Sequence, residues 1–177
     1  MCTYIVKAAL ILMLIFTASV AIYPQASGPK AAVMAFYKYD RSHSQVFNRR
    51  NIDARKQWFG TELYKLLINE LAREKAYLAK NPTDKPHFGD GLPFQPLDET
   101  CSLNGREYRR TISYGQVTVK GDLGNVDVYF KYPKGCNFPD VLYAVNLSKE
   151  RGRWLIDDIR YIADSTSLVE DLNRKEY

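Results

Sequence analysis

The sequence predicts an α+β fold in which N-terminal helices pack against an antiparallel four-stranded sheet. Apolar residues recur at helical spacing within residues 29–80 and alternate at strand spacing within residues 112–161. Helices that come first and strands that follow as a block favour α+β over alternating α/β. The links between the predicted strands are short and rich in turn residues, which favours antiparallel pairing.

Three helices are predicted in the first half of the chain. The first begins at Pro29, because proline is favoured in the first turn of a helix, and its apolar pattern fades after Asp40. A short second helix is predicted over residues 52–59. The longest helix is capped by the threonine that opens residues 61–80, and it ends before Pro82.

Four strands are predicted in the second half, each joined to the next by a turn-like link. The proline-rich segment between the helices and the strands, residues 82–96, is predicted to be a loop. The predicted strands span residues 112–120, 126–132, 141–147 and 153–161.

The last predicted strand, residues 153–161, changes phase along its length. Ile156 and Ile159 are an odd number of positions apart, so a regular strand would place them on opposite faces. A β-bulge near Asp157-Asp158 would return both side chains to the inner face. A short helix is predicted after this strand, capped by one of the two serines that precede Leu168.

Residues 1–21 have the pattern of a secretory signal peptide. A short n-region ends in a lysine, an uncharged run covers residues 8–23, and small residues suit cleavage after Ala21. The run is shorter than the roughly 20 residues that a membrane-spanning helix needs. The sequence therefore predicts a periplasmic or secreted protein, with a linker over residues 22–28 and one domain over 29–177. An uncleaved leader would instead anchor the domain to a membrane.

Cleavage of the leader removes Cys2 and leaves an even pair of cysteines, Cys101 and Cys136. An even number of cysteines in an exported chain favours a disulfide, and the alternative is two free thiols. A metal site is not predicted, since the two histidines, His43 and His87, lack ligand-like spacing to a cysteine.

The formal net charge of +5 is mild, and it includes one lysine of the leader. Basic residues cluster within residues 49–56 and 106–110, either as solvated side chains or as a surface for an acidic partner. The chain contains no nucleic-acid-binding motif, so nucleic acid is not predicted as a partner. No cofactor is predicted either, because phosphate-cradling glycine motifs and zinc-binding helix motifs are missing from the sequence.

The segment Phe36-Tyr37 on the first helix and the ending Gly152-Arg153-Trp154-Leu155-Ile156-Asp157-Asp158-Ile159-Arg160-Tyr161 carry a resemblance to a known fold. Residues 29–161 resemble the nuclear-transport-factor-2-like, cystatin-like cone, and in particular a bacterial group of exported domains of unknown function. The resemblance implies a curved sheet wrapped around the helices and a cavity at the open end. Some relatives are isomerases or dehydratases, whereas many only bind a partner or dimerise, so a second copy of this chain is one candidate partner.

The candidate ligand-binding residues are aromatic side chains and one carboxylate. Tyrosine and tryptophan combine a large apolar area with a polar tip, which suits a lined pocket or an interface. The alternative for each aromatic residue is an ordinary place in the core, and for the carboxylate a solvated position at a helix end. These candidates are Tyr37, Asp40, Trp58, Tyr64, Tyr114 and Tyr143.

The predicted function is that of an exported small binding or protein-interaction domain without chemistry of its own, for an unknown small ligand or protein. The alternative is a small pocket enzyme of isomerase or dehydratase type, with Asp40 as general base opposite Tyr37 or Tyr114. A third interpretation is a structural accessory protein of the envelope. No residue is predicted to be catalytic on the sequence alone, since the familiar catalytic signatures do not occur.

Overall fold

The computed structural model describes residues 28–97 and 100–174, and the predicted leader lies outside these residues. Among the helices of the described part, none is long and apolar enough to span a bilayer. The helices are α1 (Pro29–Arg41), α2 (Arg49–Arg55), α3 (Thr61–Lys80) and α4 (Leu168–Asn173), and a 3₁₀ turn, Lys56–Trp58, follows α2.

The helix starts follow local capping chemistry. Pro29 opens α1 as predicted. The second helix begins earlier than predicted, because the Asn48 side chain accepts a hydrogen bond from the Asn51 N–H (2.9 Å) and so caps α2. The predicted cap of α3 is wrong by one residue, since Gly60 is the N-cap and Thr61 is already helical.

The strands form two antiparallel sheets. A five-stranded sheet has the order β3-β4-β5-β6-β7, and a two-stranded sheet pairs β1 with β2. The strands are β1 (Cys101–Leu103), β2 (Arg106–Tyr108), β3 (Thr111–Lys120), β4 (Leu123–Lys131), β5 (Val141–Glu150), β6 (Arg153–Tyr161) and β7 (Thr166–Ser167).

The α+β class is thus confirmed, but the prediction of a four-stranded sheet is wrong. The fifth strand, β7, has two residues, which is too short to show an alternating pattern. The β1–β2 hairpin was also missed, although Asn104-Gly105 is the dipeptide that a tight hairpin turn favours. Both turn residues have positive φ, 51° and 74°.

Two β-bulges bend the main sheet. In β6 the pairing shifts between Ile156 and Asp158, which leaves Asp157 as the extra residue and confirms the predicted bulge. Ile156 and Ile159 are both buried as a result. The second bulge, in β3 between Tyr114 and Val117, was not predicted.

The core lies between α1 and the inner face of the sheet. Phe36 and Tyr37 of α1 are fully buried, as are Val126, Val128 and Val145 on the strands that α1 crosses. This arrangement leaves one side of α1 facing the edge strand β3, and the candidate site lies there.

The predicted disulfide is confirmed. Cys101 and Cys136 are bonded, with their Cα atoms 5.9 Å apart. The bond joins the β1–β2 hairpin to the segment between β4 and β5.

The loop that follows α3 is fixed by carboxylates of that helix. Glu74 Oε1 accepts a hydrogen bond from the Phe88 N–H (2.7 Å), and Glu70 Oε1 lies 3.1 Å from His87 Nδ1. Burial raises the pKa of Glu74, the Phe88 N–H opposes this shift, and the charge of Glu70 adds to it.

Substituting Glu74→Gln should weaken the dependence of stability on pH. Because the folded-state pKa of Glu74 is raised, its contribution to stability is fully present below the unfolded-state pKa and is lost as the pH rises through the folded-state value. Glutamine keeps the oxygen acceptor for Phe88 and removes the charge. Urea unfolding at mildly acidic and at neutral pH should therefore show a smaller loss of stability in the variant than in the wild type.

The matched control is Glu62→Gln, since Glu62 is exposed in the first turn of the same helix. An equal loss of stability in wild type and Glu74→Gln would contradict the role of Glu74.

Candidate ligand-binding groove between the first helix and the edge strand

A groove of about 330 Å³ lies between α1 and β3, and we call it the α1–β3 groove. Strand β3 is an edge of the five-stranded sheet, and it pairs only with β4 within the described residues. Helix α1 contributes Met34, Ala35, Tyr37, Lys38 and Arg41 to the lining, and β3 contributes Ile112 and Tyr114.

The periods of the two elements bring these side chains together. Met34, Lys38 and Arg41 are spaced by four and three residues, so they lie on one side of α1. Ile112 and Tyr114 are two residues apart and face the inner side of the sheet, as do their partners on β4, Phe130 and Val128.

Two contacts join α1 to the β3 side of the groove. Arg41 Nη2 donates a hydrogen bond to the carbonyl oxygen of Arg110, the residue before β3, at 2.7 Å. Lys30 Nζ, near the other end of α1, lies 3.5 Å from the Tyr114 carbonyl oxygen.

Tyr37 lines the groove and is fully buried. Its ring packs edge-to-face against Phe36 and Phe130, at centroid distances of 5.0 and 5.5 Å. The Tyr37 hydroxyl has no hydrogen-bond partner within the structure described. Leaving such a buried group unpaired costs about 1–3 kcal/mol, which a ligand that supplied a hydrogen-bond partner would recover.

Burial raises the pKa of Tyr37 well above its ordinary value, and the neighbouring Tyr143, Asp40, Tyr161 and Tyr114 raise it further. The Tyr37 hydroxyl is therefore protonated at neutral pH and is suited to donate a hydrogen bond, not to act as a base.

The predicted residues Tyr37, Tyr114 and Tyr143 are brought together. Tyr114 and Tyr143 are both opposite Val128 on the inner face, one from each side. The ring of Phe130 contacts both Tyr143 and Tyr37, at centroid distances of 5.0 and 5.5 Å. Tyr161 on β6 is the pairing partner of Tyr143 on β5. The sequence analysis did not select it as a candidate. Its position on the last predicted strand, in phase with Ile159, was the available signal.

Asp40 is fully buried in an ion pair with Arg55, so it is not the solvated carboxylate that the simpler interpretation expected. Arg55 Nε donates to Asp40 Oδ1 at 2.6 Å, and Gln95 Nε2 donates to Oδ2 at 3.1 Å. Burial raises the pKa of Asp40, whereas the charge of Arg55 opposes this shift. Both carboxylate oxygens are therefore engaged by neighbouring side chains.

Arg55 is correspondingly not a solvated member of the basic cluster at residues 49–56. Its side chain is 1% exposed, and it also donates hydrogen bonds to the carbonyl oxygens of Asn51 and Ser44, at 3.0 and 3.1 Å. These bonds fix the segment between α1 and α2, so the Asp40–Arg55 pair holds the C-terminal end of α1 in place beside the groove.

Trp58 and Tyr64, the other two predicted ligand-binding residues, are not among the residues that line the groove. Trp58 packs against Phe36 and Tyr39, with centroids 6.1 and 4.6 Å away. The Tyr64 hydroxyl donates to Asp53 Oδ1 at 2.6 Å. Both side chains therefore have structural contacts among the helices.

Sequence reasoning missed Met34, Lys38, Arg41 and Ile112 as lining residues. Each looks like an ordinary helix-surface or strand residue on its own, and only the packing of α1 beside β3 makes them neighbours. Three or more metal-ligating side chains do not come together anywhere in residues 28–97 and 100–174.

A scan against protein-family models, a search of curated proteins and a search of solved structures each found no match to this chain.

Proposed function

We propose that this chain is an exported binding domain without chemistry of its own, and that it takes a small ligand in the α1–β3 groove. The observation that carries the proposal is the fully buried Tyr37 on the groove lining, whose hydroxyl has no partner in the described structure. A groove that combines an apolar lining with a few polar groups is typical of small-molecule sites.

The proposal assigns no general base. Asp40, the carboxylate that an isomerase-like mechanism would use, already accepts hydrogen bonds on both oxygens from Arg55 and Gln95. A general base must lie within hydrogen-bond reach of the substrate proton, and Asp40 is not among the residues that line the groove. The geometry therefore favours binding over catalysis.

We propose further that the helices and the main sheet form a cone of the nuclear-transport-factor-2-like kind. Two features support this fold. Helix α1 crosses the inner face and contacts β3, β4 and β6, and bulges in β3 and β6 bend these strands.

Export to the periplasm or the exterior is also a proposal. It is supported by the signal-peptide pattern of residues 1–21 and by the Cys101–Cys136 disulfide, since such bonds persist in oxidising compartments.

Native mass spectrometry of the protein isolated from its own source tests the binding proposal. The wild type should carry a non-protein molecule that leaves on denaturation. Ala35→Phe should lose it, because Ala35 is an exposed residue that lines the groove and a phenyl ring there would fill the space.

The matched control is Ala76→Phe, which places the same ring at an exposed position of α3. This variant should keep the bound molecule. A bare wild-type monomer, or retention of the molecule by Ala35→Phe, would contradict the proposal.

A further inference from the structure

We infer that the ligand of the α1–β3 groove is an anionic amphiphile, specifically a medium-chain aliphatic carboxylate whose head group binds Lys38 and Arg41 and accepts a hydrogen bond from the Tyr37 hydroxyl. This inference rests on the proposed binding function and names the ligand class.

The exposed charged residues that line the groove are both positive. Lys38 and Arg41 on α1 are exposed, and neither forms an ion pair within the part of the chain described. The one carboxylate on these two elements is Asp40, which is buried against Arg55. Cations without protein counter-charges beside an apolar groove attract an anionic ligand.

Arg110, whose carbonyl oxygen accepts the hydrogen bond from Arg41, is a further cation without an ion pair in the described residues. Arg110 is 6% exposed, its Nη1 donates to the Pro139 carbonyl oxygen at 2.7 Å, and its Nε has no partner in the described structure. Its guanidinium lies over the ring of Tyr132, 4.6 Å from the centroid. A buried guanidinium without a carboxylate strengthens the positive potential near Arg41.

Arg41 retains donors for a carboxylate head group. A guanidinium has five N–H donors, and the hydrogen bond to the Arg110 carbonyl oxygen uses one of them. That bond also orients the planar group, which can then bind both oxygens of a carboxylate. Lys38 lies three residues earlier on the same side of α1 and can reach the same head group.

The remainder of the lining suits a hydrocarbon chain of limited length. Met34 is 45% exposed, and together with Ala35 and Ile112 it forms an apolar wall. The volume of about 330 Å³ is at the lower end of the range of small-ligand sites, so it suits a short chain better than a long one. Octanoate is the medium-chain carboxylate used as the probe.

An added peptide strand is a less suitable occupant of this edge. The contacts of Arg41 and Lys30 already engage the carbonyl oxygens of Arg110 and Tyr114 at the start of β3. The bulge between Tyr114 and Val117 then breaks the straight edge that strand addition needs.

The test compares three eight-carbon probes, octanoate, octanol and octylammonium, in chemical-shift titrations of the ¹⁵N-labelled domain. Octanoate should bind about tenfold more tightly than octanol, which corresponds to about 1.4 kcal/mol, because its carboxylate forms charge-assisted hydrogen bonds that a hydroxyl does not. Octylammonium should bind most weakly. The double variant Lys38→Gln/Arg41→Gln should bind octanoate about tenfold more weakly and should bind octanol as the wild type does.

The control variant, Lys75→Gln/Lys80→Gln, removes two exposed lysines of α3 and should leave octanoate binding unchanged. Equal binding of the three probes, or unchanged octanoate binding by Lys38→Gln/Arg41→Gln, would overturn the ligand class and leave the groove as a binding site. Binding of an acidic decapeptide but of no eight-carbon probe would overturn it in favour of a peptide partner. Failure of every probe, together with a bare protein in native mass spectrometry, would reject the proposed function as well.

Discussion

Asp40→Asn is expected to lower the free energy of unfolding by about 3–5 kcal/mol, the range found when one partner of a buried ion pair is removed. The substitution leaves the guanidinium of Arg55 in a fully buried position without its counter-charge. Arg55 keeps its bonds to the carbonyl oxygens of Asn51 and Ser44, so it cannot turn to solvent without releasing the segment between α1 and α2.

Urea unfolding followed by circular dichroism measures this effect. Asp53→Asn is the control, because Asp53 forms an ion pair with Arg49 at the surface and its loss should matter far less. If Asp40→Asn does not fold, Asp40→Asn/Arg55→Met provides the second measurement. It removes both charges with little change of volume and should fold, because no buried charge is left unpaired. A loss for Asp40→Asn no larger than that of Asp53→Asn would contradict the buried pair.

The second large expected effect is the loss of the disulfide. Cys101→Ser/Cys136→Ser should be destabilised by about 4 kcal/mol, because the bond closes a long loop and restricts the unfolded chain. The two cysteines are 35 positions apart in the sequence. A reductant should destabilise the wild type by a similar amount and should have no effect on the double variant.

Intact-mass measurement after thiol alkylation in denaturant provides the direct check. In the wild type neither Cys101 nor Cys136 should be alkylated. In the reduced protein both should be alkylated. Equal stability of the oxidised and reduced forms would contradict the stabilising role of the bond.

The periodicity of apolar residues in the sequence was sufficient to predict most of the helices and strands. The spacing around Pro29 and along residues 61–80 identified the two long helices, and the phase change at Asp157 located a bulge that the structure confirms. These features depend on neighbouring residues in the chain. The two-residue strand β7 carries no such periodicity, which is why the fifth strand was missed.

The candidate site was predictable only in part. Tyr37, Tyr114 and Tyr143 meet because each lies on the inward face of its own element. The Asp40–Arg55 pair could not be found in this way, since the two residues lie on different helices, 15 positions apart, and each looked like a surface charge. In the folded chain both residues are fully buried, and buried charges are retained in proteins when they are paired.

The cationic side of the groove escaped sequence analysis for a related reason. Lys38 and Arg41 are ordinary residues of an exposed helix face. They become distinctive only because the neighbouring strand β3 supplies apolar side chains and no carboxylate to balance them.

Nuclear Overhauser effects between a bound probe and the protein's methyl groups test most directly whether the α1–β3 groove is the ligand site. The experiment uses whichever of the three eight-carbon probes binds most tightly, with methyl-labelled wild-type protein. The probe's methylene protons should show contacts with the methyl groups of Met34 and Ile112, which line the groove. Contacts instead with Ala54 and Leu155, which line the second hollow beside α2, or binding by none of the probes, would contradict the proposed site.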